Sequence, residues 1–268
     1  GPISEVLAYR ADISRVSSNG YVDRGDSGSW ALSGALAWKP SENLTVTLSD
    51  DYGDQKPMRY FGVPLIGGKI DSRSRSLNYN VSDAIMHFKD NVAQLRAEWS
   101  GDGLKVRNSA YLLTTDRQWR NAESYFYDPV ARTVDRTDYI PIKHDQNQWG
   151  DTADVTFKGR FGQVENSLLV GADYNKVRFV HTNDGFPGTT TVVDPFNPAP
   201  GTYIEAGPFI PRYRTNTRQY AIFAEDQLKL TPQVSVVGGL RYDHLTGDYS
   251  TFAIPNNASG PAGSSRWW

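Results

Sequence analysis

The chain of 268 residues contains no cysteine, which excludes disulfides, thiolate metal sites and a cysteine nucleophile. It has no apolar run near the roughly 20 residues that a transmembrane helix needs. Mean hydropathy is −0.53. Positive charge is not in excess either: the formal net charge is −2. Phosphate neutralisation therefore has little to draw on, and no nucleic-acid partner is expected. The four histidines, His87, His144, His181 and His244, lie far apart, with no metal-ligand spacing between neighbours. Gly-rich phosphate loops and a Gly-x-Ser-x-Gly elbow are missing, so no catalytic residue, cofactor or enzymatic activity is expected. No initiator Met or signal peptide opens the chain; Gly1-Pro2 reads as a cleavage scar or as the first residues of a fragment.

What is present is aromatic and alternating. Aromatic residues make up 12%, with 15 Tyr and 7 Trp. From Trp30 to Lys39 the chain alternates with period two: Trp30, Leu32, Leu36 and Trp38 share one face, and Ala31, Ser33, Ala35, Ala37 and Lys39 the other. That is strand periodicity. The two tryptophans are separated by roughly 27 Å at about 3.4 Å per residue. A strand tilt of about 40° brings this to a height near 21 Å, close to the ~25 Å apolar band of an outer-membrane barrel. A tryptophan at each edge of such a band suits two water–lipid interfaces. Leu44, Val46 and Leu48 repeat the pattern against Thr45, Thr47 and Ser49. The leucines and valine are expected to face lipid, with Ser33, Thr45 and Thr47 facing the lumen.

The links between strands alternate in length. Short turns fall at Pro40–Asn43, Ser100–Gly103, Gly159–Gly162 and Thr231–Gln233, and long loops at Tyr52–Lys89, Asn121–Asp145 and Thr182–Asn216. A transmembrane barrel has this asymmetry, with short turns at one end and extended loops at the other. Strands are expected over Glu5–Ser17, from Trp30, from Leu44, over Asn91–Trp99, Leu104–Trp119, Gln148–Lys158, Gln163–Val180, Thr217–Leu230 and Val234–Thr246. Trp38, Trp99 and Phe157 precede short turns and would form one girdle. Single-chain bacterial barrels have an even number of strands, so about nine strands describe an arc of wall: an all-β, antiparallel, up-and-down transmembrane barrel, incomplete here. The Gly-, Pro-, Asn- and Ser-rich tail from Ala253 to Trp268 reads as a loop. An arc exposes two unpaired edges, costly in lipid, so the isolated chain is not expected to form a stable transporter.

The stretch Tyr220-Ala221-Ile222-Phe223-Ala224-Glu225-Asp226-Gln227-Leu228-Lys229-Leu230-Thr231-Pro232, followed by Val237-Gly238-Gly239-Leu240-Arg241-Tyr242-Asp243, resembles a strand–turn–strand of the TonB-dependent siderophore receptors. Leu168–Tyr174, Asp116–Glu123 and Gly1–Ser4 are similar to further stretches of that family, in its order. The resemblance implies that residues 1–268 are a middle section of the receptor barrel, without the plug, the TonB box or the terminal strand. It implies an outer-membrane location, a ferric siderophore as ligand, contact with outer-membrane lipid, and coupling to the TonB complex through the parent's plug.

Ferric siderophores are compact chelates with amide or aromatic surfaces, which aromatic faces and a few cationic donors suit. Loop and upper-strand residues Tyr60, Arg117, Trp119, Tyr125 and Tyr127 are the candidate ligand contacts, alongside the alternative that such aromatics anchor at headgroups or pack loops together. Competing readings are a receptor for haem, which a paired-histidine motif would favour and the spacing does not show, or for cobalamin. A soluble carbohydrate-binding or glycoside hydrolase module is a further class, in which aromatics would cluster on one concave face.

Overall fold

The computed structural model describes residues 1–252 and the strand Ser264–Trp267. Long strands run β1 (Leu7–Ser18), β2 (Ser27–Ser41), β3 (Leu44–Lys56), β4 (Ile85–Gly101), β5 (Leu104–Asp128), β6 (Thr133–Phe161), β7 (Val164–Asn183), β9 (Ile210–Lys229) and β10 (Ser235–Thr251). Two short ones, β8 (Thr191–Val193) and β11 (Ser264–Trp267), accompany them. All join one antiparallel sheet in the order β1-β2-β3-β4-β5-β6-β7-β9-β10-β11, with β8 added to β6. Among the described residues there is no α-helix. The nine expected strands are the nine long ones. In the tail expected to be a loop, Ser264–Trp267 pairs instead with Gly247–Ser250 of β10; residues 253–263 lie outside the described part.

Consecutive strands are antiparallel neighbours, so their connections fall at alternate ends. The tight turns after β2, β4, β6 and β9 share one end, here called lower. The connections after β1, β3, β5 and β7 share the upper end. One expected long loop is mostly strand. β5 and β6 continue to pair from Asn121↔Ile140 to Asp128↔Thr133, so the expected loop Asn121–Asp145 is a tall hairpin closed by residues 129–132. Asp128 Oδ1 accepts from the backbone N–H groups of Val130 (2.7 Å) and Ala131 (3.1 Å), which caps that turn.

Cross-strand register fixes the faces, because directly opposed residues point the same way. Leu32 lies opposite Tyr52, Leu36 opposite Leu48, and Trp38 opposite Val46; Leu44 lies opposite Trp99. The expected apolar face therefore exists, and it continues through Leu95, Leu112, Val155, Val170, Ile222 and Leu240. Among the described residues no second sheet covers it: Leu48 is 53% exposed, Ile222 63% and Leu240 86%. Apolar rows left open on a wall one sheet thick are what a lipid-facing surface requires and a sandwich cannot tolerate. Near the turns Trp38, Trp99 and Phe157 lie on this face. Toward the loops Trp149 packs on Tyr174 (centroids 4.7 Å apart), which packs on Tyr220 (4.9 Å), giving a second aromatic row.

The opposite face is polar and internally bonded. Ser33 Oγ donates to Asp51 Oδ1 (2.5 Å), Arg107 Nε to Asp154 Oδ1 (2.9 Å), Thr152 Oγ1 to Asp173 Oδ2 (2.9 Å), and Gln219 Nε2 to Asp243 Oδ1 (2.8 Å). A single-layer wall has little core of its own, and most of the buried side chains sit in the upper cap. Val81, Ala84, Ala122, Tyr139 and Tyr203 form one cluster there, and Tyr79, Val134 and Val193 another.

Candidate ligand-binding face

Above the aromatic row, β4 to β10 continue beyond the apolar band, and their polar face becomes aromatic. Phe88 of β4 meets Trp119 of β5 edge-on (6.3 Å), and Trp119 meets His144 of β6 edge-on (4.8 Å). His144 touches Phe179 and His181 of β7 (4.9 Å each). His181 stacks on Tyr213 of β9 at 4.8 Å and 17°, and Tyr213 contacts Tyr249 of β10 (5.5 Å). Register places these rings on the same side as Ser109, Asp154 and Asp173. The result is a continuous ring-lined path across six neighbouring long strands, at the mouth of the polar face.

Pairing geometry produces what spacing along the chain concealed. His144 lies opposite His181, and His144 Nε2 is 2.8 Å from His181 Nδ1, although they are 37 positions apart. The proton positions follow from the neighbours. Asn183 Oδ1 accepts from Gly185 N (2.8 Å) and Arg212 Nε (2.9 Å), so its Nδ2 donates to His181 Nε2 (2.7 Å). His181 must then carry its hydrogen on Nδ1 and donate it to His144 Nε2. Donation runs one way, Arg212 to Asn183 to His181 to His144, and both imidazoles are held neutral. Burial, then the neighbouring His181 and Arg117, push His144 down to about 4; burial, then Arg212, lowers His181.

Of the five sequence candidates, Trp119 and Arg117 lie on this path. Arg117 has its charge matched by Asp90 (3.1 and 3.2 Å) and lies 5.9 Å from the Phe88 ring centroid. The other three sit in the upper cap. Tyr125 packs on Tyr79 (5.4 Å) and donates to Ala122 O (2.7 Å); with Tyr127 it lies against Tyr79, Val134 and Val193. Tyr60 meets Tyr21 edge-on (5.9 Å). Burial raises the Tyr60 and Tyr125 phenols, which stay neutral.

Arg136, which the sequence did not mark out, ties the cap together. Buried at 4% exposure, it donates through Nη1 to Tyr79 O (3.1 Å) and Pro200 O (2.8 Å), and through Nε to Tyr139 Oη (3.1 Å) and Thr191 Oγ1 (3.0 Å). One guanidinium thus joins the loop after β3, the β5–β6 hairpin and the loop after β7. Glu123 in the same cap is pushed up to about 7 by burial and by Asp138. Among the described residues no cluster of three or more metal-ligating side chains occurs.

The comparisons agree with this fold. Residues 37–267 match the family model described as TonB dependent receptor-like, beta-barrel. The siderophore receptor PiuA from Acinetobacter baumannii superposes with a TM-score of 0.80 at 15% identity, over 99% of this chain and 42% of that one. BauA, the ferric preacinetobactin receptor of the same organism, gives 0.75 at 17%, over 97% and 39%. The ferric-catecholate import receptor Fiu from E. coli K12, in its open form, gives 0.74 at 14%, over 99% and 47%. The chain spans less than half the length of these receptors, and at such identities the likeness is one of fold. No curated protein matches the chain.

Proposed function

Because this chain belongs to the TonB-dependent receptor β-barrel family, we propose that it is part of the wall of an outer-membrane receptor that takes up a ferric siderophore. The observation that carries the reading is the ring-lined path from Phe88 to Tyr249 at the mouth of the polar face. Rings set side by side on rigid strands offer a pre-organised surface to a planar or aromatic chelate. Trp119 is the central contact, and Arg117, its charge shared with Asp90, a secondary one. Tyr60, Tyr125 and Tyr127 act one layer back and hold the loops in place. The open apolar face and its two aromatic rows support contact with outer-membrane lipid. Energy coupling would come from the TonB complex acting on a plug domain of the whole receptor; no bond-making step is assigned to this chain.

Haem is the second reading, because a histidine pair does exist. Its hydrogen bonding argues against axial ligation: His144 Nε2 and His181 Nε2 both serve as acceptors already, and the remaining ring nitrogens carry hydrogens. A soluble sugar-binding module or hydrolase conflicts with the uncovered apolar face. The siderophore reading is tested by titrating ferric catecholate and hydroxamate chelates against the full-length receptor and its Trp119→Ala form. A lost aromatic contact is worth about 0.5–1.5 kcal/mol, so affinity for the bound chelate falls roughly 2- to 13-fold. Unchanged affinity in Trp119→Ala would remove this face from the binding site.

A further inference from the structure

Just above the upper aromatic row, on the apolar side of the wall, four cations gather on two adjacent strands. Lys176 follows Tyr174 by two positions on β7, and Arg178 comes next on the same face. Arg218 precedes Tyr220 by two positions on β9, with Arg214 higher up. Lys176 lies directly opposite Arg218, Arg178 opposite Asn216, and Arg214 opposite Val180. Like charges directly opposed across strands repel, and among the described residues none of the four forms an ion pair with a carboxylate. Nearby acids are engaged elsewhere: Asp145 holds Lys143 at 3.0 Å, and Asp151 accepts from Asn108. Arg178 and Arg218 are exposed.

We propose that Lys176, Arg178, Arg214 and Arg218 form a binding site for the phosphate groups of an anionic lipid in the leaflet on the long-loop side. The inference rests on the membrane reading above. Height and charge select the ligand together. Tyrosine and tryptophan rings rest at headgroup level, so side chains one step above Tyr174 and Tyr220 lie among headgroups. Arginine forks match phosphate oxygens in pairs, and a bound phosphate relieves the repulsion between Lys176 and Arg218. Arg117 and Arg241, on the other face, are paired with Asp90 and Asp243.

The test uses the longest chain that its gene encodes, in nanodiscs of phosphatidylcholine doped with diphosphoryl lipid A, with retained lipid A counted by native mass spectrometry. Each cation near an anionic surface contributes roughly fivefold. The Lys176→Gln/Arg178→Gln/Arg218→Gln form is therefore expected to need at least ~10-fold more lipid A for half occupancy. Arg96→Gln, on the polar face, behaves as the unaltered protein. If the triple form folds poorly, Arg178→Gln alone carries the comparison, with an expected shift of about fivefold. Equal retention in all forms overturns the proposal. So does displacement of lipid A by inorganic phosphate at matched phosphate concentration, which would mark a site for the free anion. Tryptophan quenching by brominated acyl chains runs on the same samples. Quenching without lipid A preference rejects the patch and leaves the membrane reading standing; absence of quenching rejects the membrane reading itself.

Discussion

At the scale of single residues, His144 shows how a strand position comes to join the ring-lined path. Neither neighbour in sequence gives it a role; Trp119, Phe179 and His181 do, each from a different register position. Its folded-state pKa of about 4 lies below the ordinary 6.5, because burial and the nearby cations disfavour the imidazolium. The fold thus holds neutral His144, and its contribution to stability is intact above about pH 6.5 and lost as pH falls toward 4. Trp119 reports on this directly. Its emission, taken as the difference between the unaltered protein and Trp119→Phe, should change with a midpoint near pH 4, and the step should vanish in His144→Gln. A midpoint near 6.5 would mean that His144 is not buried beside Trp119 and Arg117 in solution. The sequence could not show the pair, since a separation of 37 positions carries no signal of register. Arg136 was hidden for a related reason: its partners include the carbonyls of Tyr79, Ala199 and Pro200 in distant loops, which leave no mark in composition.

At the scale of elements, period-two alternation made the long strands legible, because a wall wetted by lipid on one side and water on the other imposes it on nearly every strand. It failed above the band. In Asn121–Asp145 both sides of the hairpin meet water or packed loops, so the alternation fades although pairing continues. Inside the band, two glycines on the polar face carry a packing role. A Cβ on Gly171 would lie 2.4 Å from Phe223 Cζ and 2.9 Å from Ala153 O; one on Gly150 would lie 2.6 Å from Tyr111 Oη. In each case a ring from the neighbouring strand covers the space beside the bare backbone, which stiffens a position that lacks a side chain. Gly171→Val forces Phe223 off its place at a cost of about 1–3 kcal/mol. The temperature at which the folded band is lost in a heat-modifiability gel should drop accordingly, whereas Ala172→Val, on the apolar face, should leave it nearly unchanged. Equal losses in both would show that Phe223 does not lie over Gly171.

At the scale of the whole molecule, the sheet is an arc whose order runs from β1 to β11. Its two faces assign its surroundings: lipid against Leu36, Leu48, Ile222 and Leu240, water against the paired carboxylates and arginines. The ring-lined path then sits at the mouth on the long-loop side, and the cationic cluster on the outside at headgroup height. Both depend on which face meets lipid. The absence of native cysteine makes that question directly measurable. Single substitutions Leu32→Cys, Ser33→Cys, Leu36→Cys, Ala37→Cys, Thr47→Cys and Leu48→Cys, spin-labelled in nanodiscs, can be probed for collisions with oxygen, which favours lipid, and with a water-soluble nickel chelate. The expected result is strict alternation: oxygen contact at 32, 36 and 48, and nickel contact at 33, 37 and 47. Uniform accessibility, or the opposite alternation, would contradict the account.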